Sequence, residues 1–324
     1  MPISRAIQFL DRVPNYHSAP SIAQVDASEL SEREFFAEFV EHMRPCLIRG
    51  AIRHWPAVKL WPSPDYLRQR VGNREVSICL APRIEHPAAA KGNPELRQRM
   101  DNASRPMRFE GFLEHLISGE RGHCVLHAAS LRDGEPLAPL ARDVGGFPFL
   151  HAPRPARFYP NHRVFIYRDS YTDWHIHQLD ETLMCQVKGS KEVLLLPPDT
   201  ESFRTMKKMA EQLGYLADVD WEKFPELKTL KPFRVTVGGG DALYIPTCWW
   251  HAVEPIEMDW GITLSWCWGS PLHLFDPRLA GIRNLVKRVT SSGLNGRALF
   301  TLSAISYSLL HRFVTGQLRK RPYL

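Results

Sequence analysis

The sequence has no CxxC pair. Its six cysteines, Cys46, Cys79, Cys124, Cys185, Cys248 and Cys267, are scattered, most of them inside apolar runs. That pattern excludes paired-cysteine zinc and redox motifs and points to buried thiols in a reducing, cytoplasmic setting. No charged-then-apolar leader opens the chain, and no apolar run is long enough to span a bilayer, so a soluble protein is expected. Gly238-Gly239-Gly240 is not followed by a strand-to-helix switch, which argues against a phosphate-cradling loop. Zinc-finger spacing and RNA-binding aromatic motifs are also missing. Acids are scarce in one place only: residues 271–324 hold nine Lys/Arg against Asp276 alone, leaving 32 basic and 34 acidic residues elsewhere. The net charge of +6 therefore belongs to the tail.

With 324 residues, 44% apolar and 23% charged, the chain has an ordinary globular composition and can bury a sizeable core. Ser31-Glu32-Arg33-Glu34 reads as a capping box, opening a helix with a stripe of Phe35, Phe36, Phe39, Val40 and Met43. Cys46–Gly50 and Val76–Leu80 read as strands, Ser63-Pro64 as a helix start, and Phe109–Ile117 as a short helix. Residues 81–107 read as a long loop. His123 and His127 share a strand's parity with nothing to pair them, and are read as structural. From Arg163 onward short strands dominate. Leu183–Lys188 and Lys191–Leu196 flank Gly189-Ser190 as an expected hairpin, and Phe233–Val237 and Gly261–Trp268 are further strands. Residues 203–215 read as a helix with Met206, Met209, Leu213 and Leu216 on one side. These elements suggest 1–160 as an N-terminal α/β part contributing to a barrel, 161–270 as the catalytic core, and 271–324 as a basic helical extension.

The chemistry concentrates in Trp174-His175-Ile176-His177-Gln178-Leu179-Asp180-Glu181 and, some seventy residues on, in Gly240–His251. Alternate residues of a strand share a face, so His175 and His177 can point into one space, with His251 completing a metal site. A lone histidine on a sheet is more often structural, but the combination favours a metal. Imidazole and carboxylate ligands with open positions suit iron(II), with zinc and nickel as competitors. Asp180 and Glu181 are alternative second ligands to His177: Asp180 through a bulge, Glu181 through the histidines' parity. Many short strands closed around such a site make a mainly β fold, a double-stranded β-helix of the jelly-roll and cupin kind.

Residues 45–270 resemble the JmjC and cupin-like iron(II)/2-oxoglutarate oxygenases, closest to the subgroup containing the asparaginyl hydroxylase of hypoxia-inducible factor. The segments that carry the resemblance are Gln186–Pro198, Gly240–His251 and Gly261–Leu264. It implies that His175 and His251 are the first and last ligands, that Lys191 binds the distal carboxylate of 2-oxoglutarate, and that Thr172 is a second donor to it. Arg168 and Arg234 are alternatives to Lys191. The family's usual His-x-Asp is His-x-His here, and the step from His175 to Gly189 is one residue longer. Thr182 and Ser265 stand where asparagine is common. The expected activity is iron(II)- and 2-oxoglutarate-dependent hydroxylation of a protein, peptide or small-molecule substrate. A cupin metal enzyme without 2-oxoglutarate and a non-catalytic binding module are the competing readings. In the tail, Asp276-Pro277 starts a helix with Leu279, Ile282, Val286 and Val289 on one face, and a second helix carries Leu299, Leu302, Ile305, Leu309 and Phe313. By resemblance these pair two subunits into a homodimer; the alternative is a basic segment lying on a membrane or nucleic acid.

Overall fold

Helix α1 begins where the capping box places it. In the computed structural model, Ser31 Oγ accepts from Glu34 N at 3.2 Å while Glu34 Oε2 accepts from Ser31 N at 3.0 Å. The structure describes residues 9–81, 83–84, 98, 104–119, 123–151, 153, 155–156, 159–177, 180–198, 201–202, 205–206, 222–256 and 259–269. Most of residues 81–107, residues 207–221 and the tail from 270 on, with its expected helices, therefore lie outside the described residues. The loop expected over 81–107 is corrected at its ends, where Arg83–Ile84 and Ser104–Arg108 are strands.

Helix α1 spans Glu32–Glu34 and runs on as a wider π turn over Phe35–Val40, burying Phe35, Phe36, Phe39 and Val40. Helices α2 (Pro56–Leu60), α3 (Pro64–Val71) and α4 (Phe109–Ser118) follow. Ser63 caps α3 by accepting from Tyr66 N, and Gly119 ends α4 in the left-handed conformation. In chain order the strands are β1 (Ala23–Asp26), β2 (Cys46–Arg49), β3 (Glu75–Cys79), β4 (Arg83–Ile84), β5 (Ser104–Arg108), β6 (Cys124–Ser130) and β7 (His162–Arg168). They continue as β8 (Tyr171–His175), β9 (Asp180–Lys188), β10 (Lys191–Leu196), β11 (Phe233–Val237), β12 (Ala242–Ile245), β13 (Trp250–Pro255) and β14 (Gly261–Gly269).

Two sheets result. The nine-stranded one runs β1-β2-β12-β9-β14-β7-β6-β3-β5, and the five-stranded one β11-β10-β13-β8-β4. From β7 to β14 the chain passes back and forth between them, the winding of a jelly roll. The fold is mainly β and cupin-like. Strands from the N-terminal part extend the larger sheet, β2 pairing with β12 and β6 with β7.

The expected hairpin at Gly189-Ser190 is corrected. Strand β9 lies in the large sheet between β12 and β14, and β10 in the small one between β11 and β13. Gly189, at φ +79°, turns the chain from one sheet to the other instead of reversing it in place. Both strands are buried almost throughout, on both faces, so there was no alternation to distinguish a hairpin from a sheet-to-sheet corner.

The register sorts the side chains. Leu183, Cys185, Val187, Ile262 and Leu264 face outward from the large sheet into a core shared with α1 to α4. Met184, Leu243, Val193, Leu195, Trp249 and Val253 pack between the sheets. Leu194, Leu196, Trp250 and Ala252 cover the far side of the small sheet with Phe9 and Leu10. The candidate site therefore lies in the space between the sheets, where Met184 and Val253 point.

Candidate metal centre

His175 is the last residue of β8 and faces His251 of β13 directly across the ladder. His177 lies past the end of β8, in the link to the other sheet. The expectation that strand parity alone aligns the two histidines is thus corrected. The link is held by the turn before β13, where Cys248 N donates to His177 O at 2.6 Å and Cys248 takes φ +65°. The outcome is nonetheless convergence. One ligand atom from each of His175, His177 and His251 lies within 4.8 Å of the others. Ring centroids are 4.0 Å apart for His175 and His251, 4.9 Å for His177 and His251, and 5.3 Å for His175 and His177.

Each imidazole is oriented from behind. His175 Nδ1 lies 2.8 Å from Asp173 O and His251 Nδ1 2.9 Å from Trp249 O. A backbone carbonyl only accepts, so Nδ1 carries the proton and Nε2 the lone pair. His177 Nδ1 lies 2.6 Å from Thr182 Oγ1, which serves the same end. Three imidazoles held from behind in this way fit a divalent transition metal. Metal–nitrogen bonds are about 2.0–2.1 Å, so small ring rotations close the remaining gap.

The two acids proposed as alternative ligands lie outside the group. Glu181 points to the opposite face of β9, where its Oε2 accepts from Tyr244 OH at 2.9 Å and Thr247 N at 3.1 Å. That carboxylate clamps the turn leading into β13. The shared parity proposed for Glu181 is lost because the chain changes sheet between His177 and β9. Asp180 Oδ2 accepts from Tyr159 N at 3.1 Å.

Lys191 is 4% exposed and shares the inner face of β10 with Val193 and Leu195. Its ammonium lies 3.8 Å from the centre of the Tyr167 ring, and no carboxylate pairs with it among the described residues. Burial lowers its pKa to about 7. Tyr167 is positioned in turn by Gln186, whose Nε2 donates to the hydroxyl at 2.9 Å, while Thr263 Oγ1 donates to Gln186 Oε1 at 2.8 Å. Thr172 pairs with Val253, and β8 bulges so that four residues (172 to 175) oppose three (253 to 251). Partners across a ladder share a face, so the bulge brings Thr172 onto the His175 side despite the odd spacing. Arg168 and Arg234 are engaged elsewhere: Arg168 donates to Leu116 O and Asp259, and Arg234 lies 3.7 Å from Glu192. His123 bonds Asp169 O and His127 meets the Phe165 ring edge-on, and neither belongs to the cluster.

None of the six cysteines forms a disulfide. Burial raises the thiol pKa of Cys124 to about 11 and of Cys248 to about 12, and raises those of Cys46 and Cys185 also, so these are not reactive thiolates. The sequence reading missed Tyr167, Gln186 and Thr263. The alternation Arg163-x-Phe165-x-Tyr167 was the available signal, since it sets three side chains on one face of β7.

A sequence profile described as a cupin-like domain matches residues 32–271. The chain is 26% identical over 278 residues to the lysine-specific demethylase JMJ32 of Arabidopsis thaliana, covering 74% of this chain and 78% of that protein. It is 26% identical over 260 residues to the human bifunctional peptidase and (3S)-lysyl hydroxylase JMJD7, covering 68% and 76%. Identity to human tRNA wybutosine-synthesizing protein 5 is 23% over 243 residues, covering 73% and 75%.

Proposed function

Because the chain belongs to the cupin-like domain family, we propose that it is an iron(II)- and 2-oxoglutarate-dependent oxygenase that hydroxylates a protein, peptide or small-molecule substrate. One observation carries this reading: a buried ammonium with no carboxylate of its own, Lys191, stands in the same interior as three convergent imidazoles. A buried cation is costly until an anion meets it, and a dicarboxylate whose other end reaches the metal meets it there. Relatives bearing demethylase and lysyl hydroxylase names support oxygenase chemistry. The finer likeness to the asparaginyl hydroxylase subgroup rests on Gln186–Pro198 and Gly240–His251.

His175, His177 and His251 would hold the metal, and Asp173 O, Thr182 Oγ1 and Trp249 O orient their rings. When bound, the iron and 2-oxoglutarate activate O2 and carry the oxidation. Lys191 supplies the charge that seats the distal carboxylate, with Tyr167 beneath the ammonium and Thr172 as second donor. Val193, Leu195, Val253 and Trp249 keep this part of the interior apolar and strengthen the Lys191 interaction by excluding water.

The three-imidazole set also favours a second reading, a cupin dioxygenase that works without 2-oxoglutarate, since no carboxylate among the described residues joins the ligand group. Iron-dependent conversion of 2-oxoglutarate to succinate by the purified protein is the expected result. Oxygen consumption without succinate would select the second reading, and a metal-replete protein showing neither would point to a binding module.

A further inference from the structure

Arg163 is a second buried cation of the interior, and the reading above makes no use of it. It lies on β7, on the same face as Tyr167 and four residues away, and is 8% exposed. One terminal nitrogen lies 3.3 Å from both Ser265 Oγ and Cys267 Sγ, and the guanidinium stacks over the Tyr159 ring at 4.0 Å. Its Nε is buried without an acceptor, and no carboxylate pairs with it among the described residues. Asp180, beside the same tyrosine, is committed to Tyr159 N. A buried lysine can shed its proton, whereas a guanidinium stays charged. The hydroxyl, sulfur and ring neighbours bring no carboxylate to that charge.

The position is close to the metal ligands. Cys267 Sγ contacts Thr182 Oγ1 at 3.6 Å, and Thr182 Oγ1 holds His177 Nδ1. The Tyr159 ring that carries the guanidinium also lies 5.3 Å from the His177 ring. Positions 163 and 167 are roughly 13 Å apart along the strand, too far for one carboxylate to answer both cations.

We propose that Arg163 is a second anion anchor, holding a carboxylate beside the histidine cluster. A single guanidinium among neutral groups balances a carboxylate, not a phosphate dianion. The inference rests on the oxygenase reading and refines it. The carboxylate belongs either to the metal-side end of 2-oxoglutarate or to the substrate, and the test separates these sources.

The manganese(II)-loaded protein, Arg163→Gln and Arg163→Lys are titrated with 2-oxoglutarate. The 2-oxoglutarate-saturated forms are then titrated with N-acetylglutamate and benzoate, using the matching amides as neutral controls. In one supporting outcome Arg163→Gln weakens 2-oxoglutarate by about tenfold or more, with Arg163→Lys intermediate, and the carboxylate is the co-substrate's. In the other, 2-oxoglutarate is unaffected but an acid probe binds the wild type, is ignored as its amide, and is lost in Arg163→Gln. Melting curves without ligand confirm that the variants fold; removing an uncompensated charge should leave Arg163→Gln at least as stable as the wild type. Unchanged 2-oxoglutarate affinity together with no Arg163-dependent acid binding overturns the proposal. A wild type that fails to bind 2-oxoglutarate at all overturns the oxygenase reading instead, and any Arg163-dependent acid binding then stands alone.

Discussion

Lys191 is where function and stability oppose each other most directly. Burial lowers its pKa from 10.5 to about 7. Between those values the unfolded chain binds a proton that the ligand-free folded chain does not. Stability of the ligand-free protein should therefore rise with pH across that window, by at most about 1.4 kcal/mol per unit, and the penalty is full below about pH 7. Lys191→Met removes the penalty, so at about pH 6 the ligand-free variant should melt above the wild type, by an amount worth a few kcal/mol. Lys191→Ala should weaken 2-oxoglutarate by more than about tenfold while metal affinity stays within a few-fold. A Lys191→Met variant that melts lower, or an unchanged 2-oxoglutarate affinity in Lys191→Ala, would show the ammonium to be already satisfied. At the second ligand position, His177→Ala should lose iron, read as metal content after gel filtration, whereas Asp180→Ala should retain it. Retention by His177→Ala and loss by Asp180→Ala would return the carboxylate to the metal. That His177 converges with His175 and His251 was legible in the sequence, but the reason offered was incomplete. The link beyond β8 and the Cys248 turn, not strand parity, bring it to His251.

At the scale of elements, side-chain clamps hold the turns that aim the site. Asp241 accepts from Gly50 N at 2.8 Å and Arg49 at 2.7 Å, tying the end of β2 to the start of β12. Asp241→Ala orphans a backbone N–H at that junction and should destabilise the protein by about 1–3 kcal/mol in denaturant titrations. A change under about 0.5 kcal/mol would mean water replaces the carboxylate. Glu181 holds the next turn through Tyr244 OH and Thr247 N, and burial with that carboxylate nearby keeps the Tyr244 hydroxyl protonated. Local signals predicted the elements themselves well: the Ser31 and Ser63 caps and the apolar runs of β2, β7 and β10 all stand where expected. Pairing was harder to see. The Gly189 corner carries the same residues as a hairpin turn, and only the partners of β10, far away in sequence at β11 and β13, show that the chain changes sheet. Glu181 was misread for the same reason, since a change of sheet resets which parity faces the histidine cluster.

Over the whole molecule, the jelly roll places the two charged features at different points of one interior, Lys191 by Tyr167 and Arg163 by the histidine cluster. No helix among the described residues is long and apolar enough to cross a membrane. The basic segment beyond residue 270 is proposed to pair two copies through its apolar faces. Light scattering should then give a dimer for the full chain and a monomer for a chain ending near residue 272. Two monomers, with only the full chain sedimenting with acidic liposomes, would assign the segment to a membrane surface instead. The central claim is that three imidazoles and one buried ammonium form a single site for metal and 2-oxoglutarate. Anaerobic calorimetry on purified protein, stripped of metal and then loaded with iron(II), tests it most directly. One 2-oxoglutarate should bind per chain in the iron-loaded protein and none in the stripped protein. Iron loading confirmed by metal analysis, with no 2-oxoglutarate heat in either form, would contradict it.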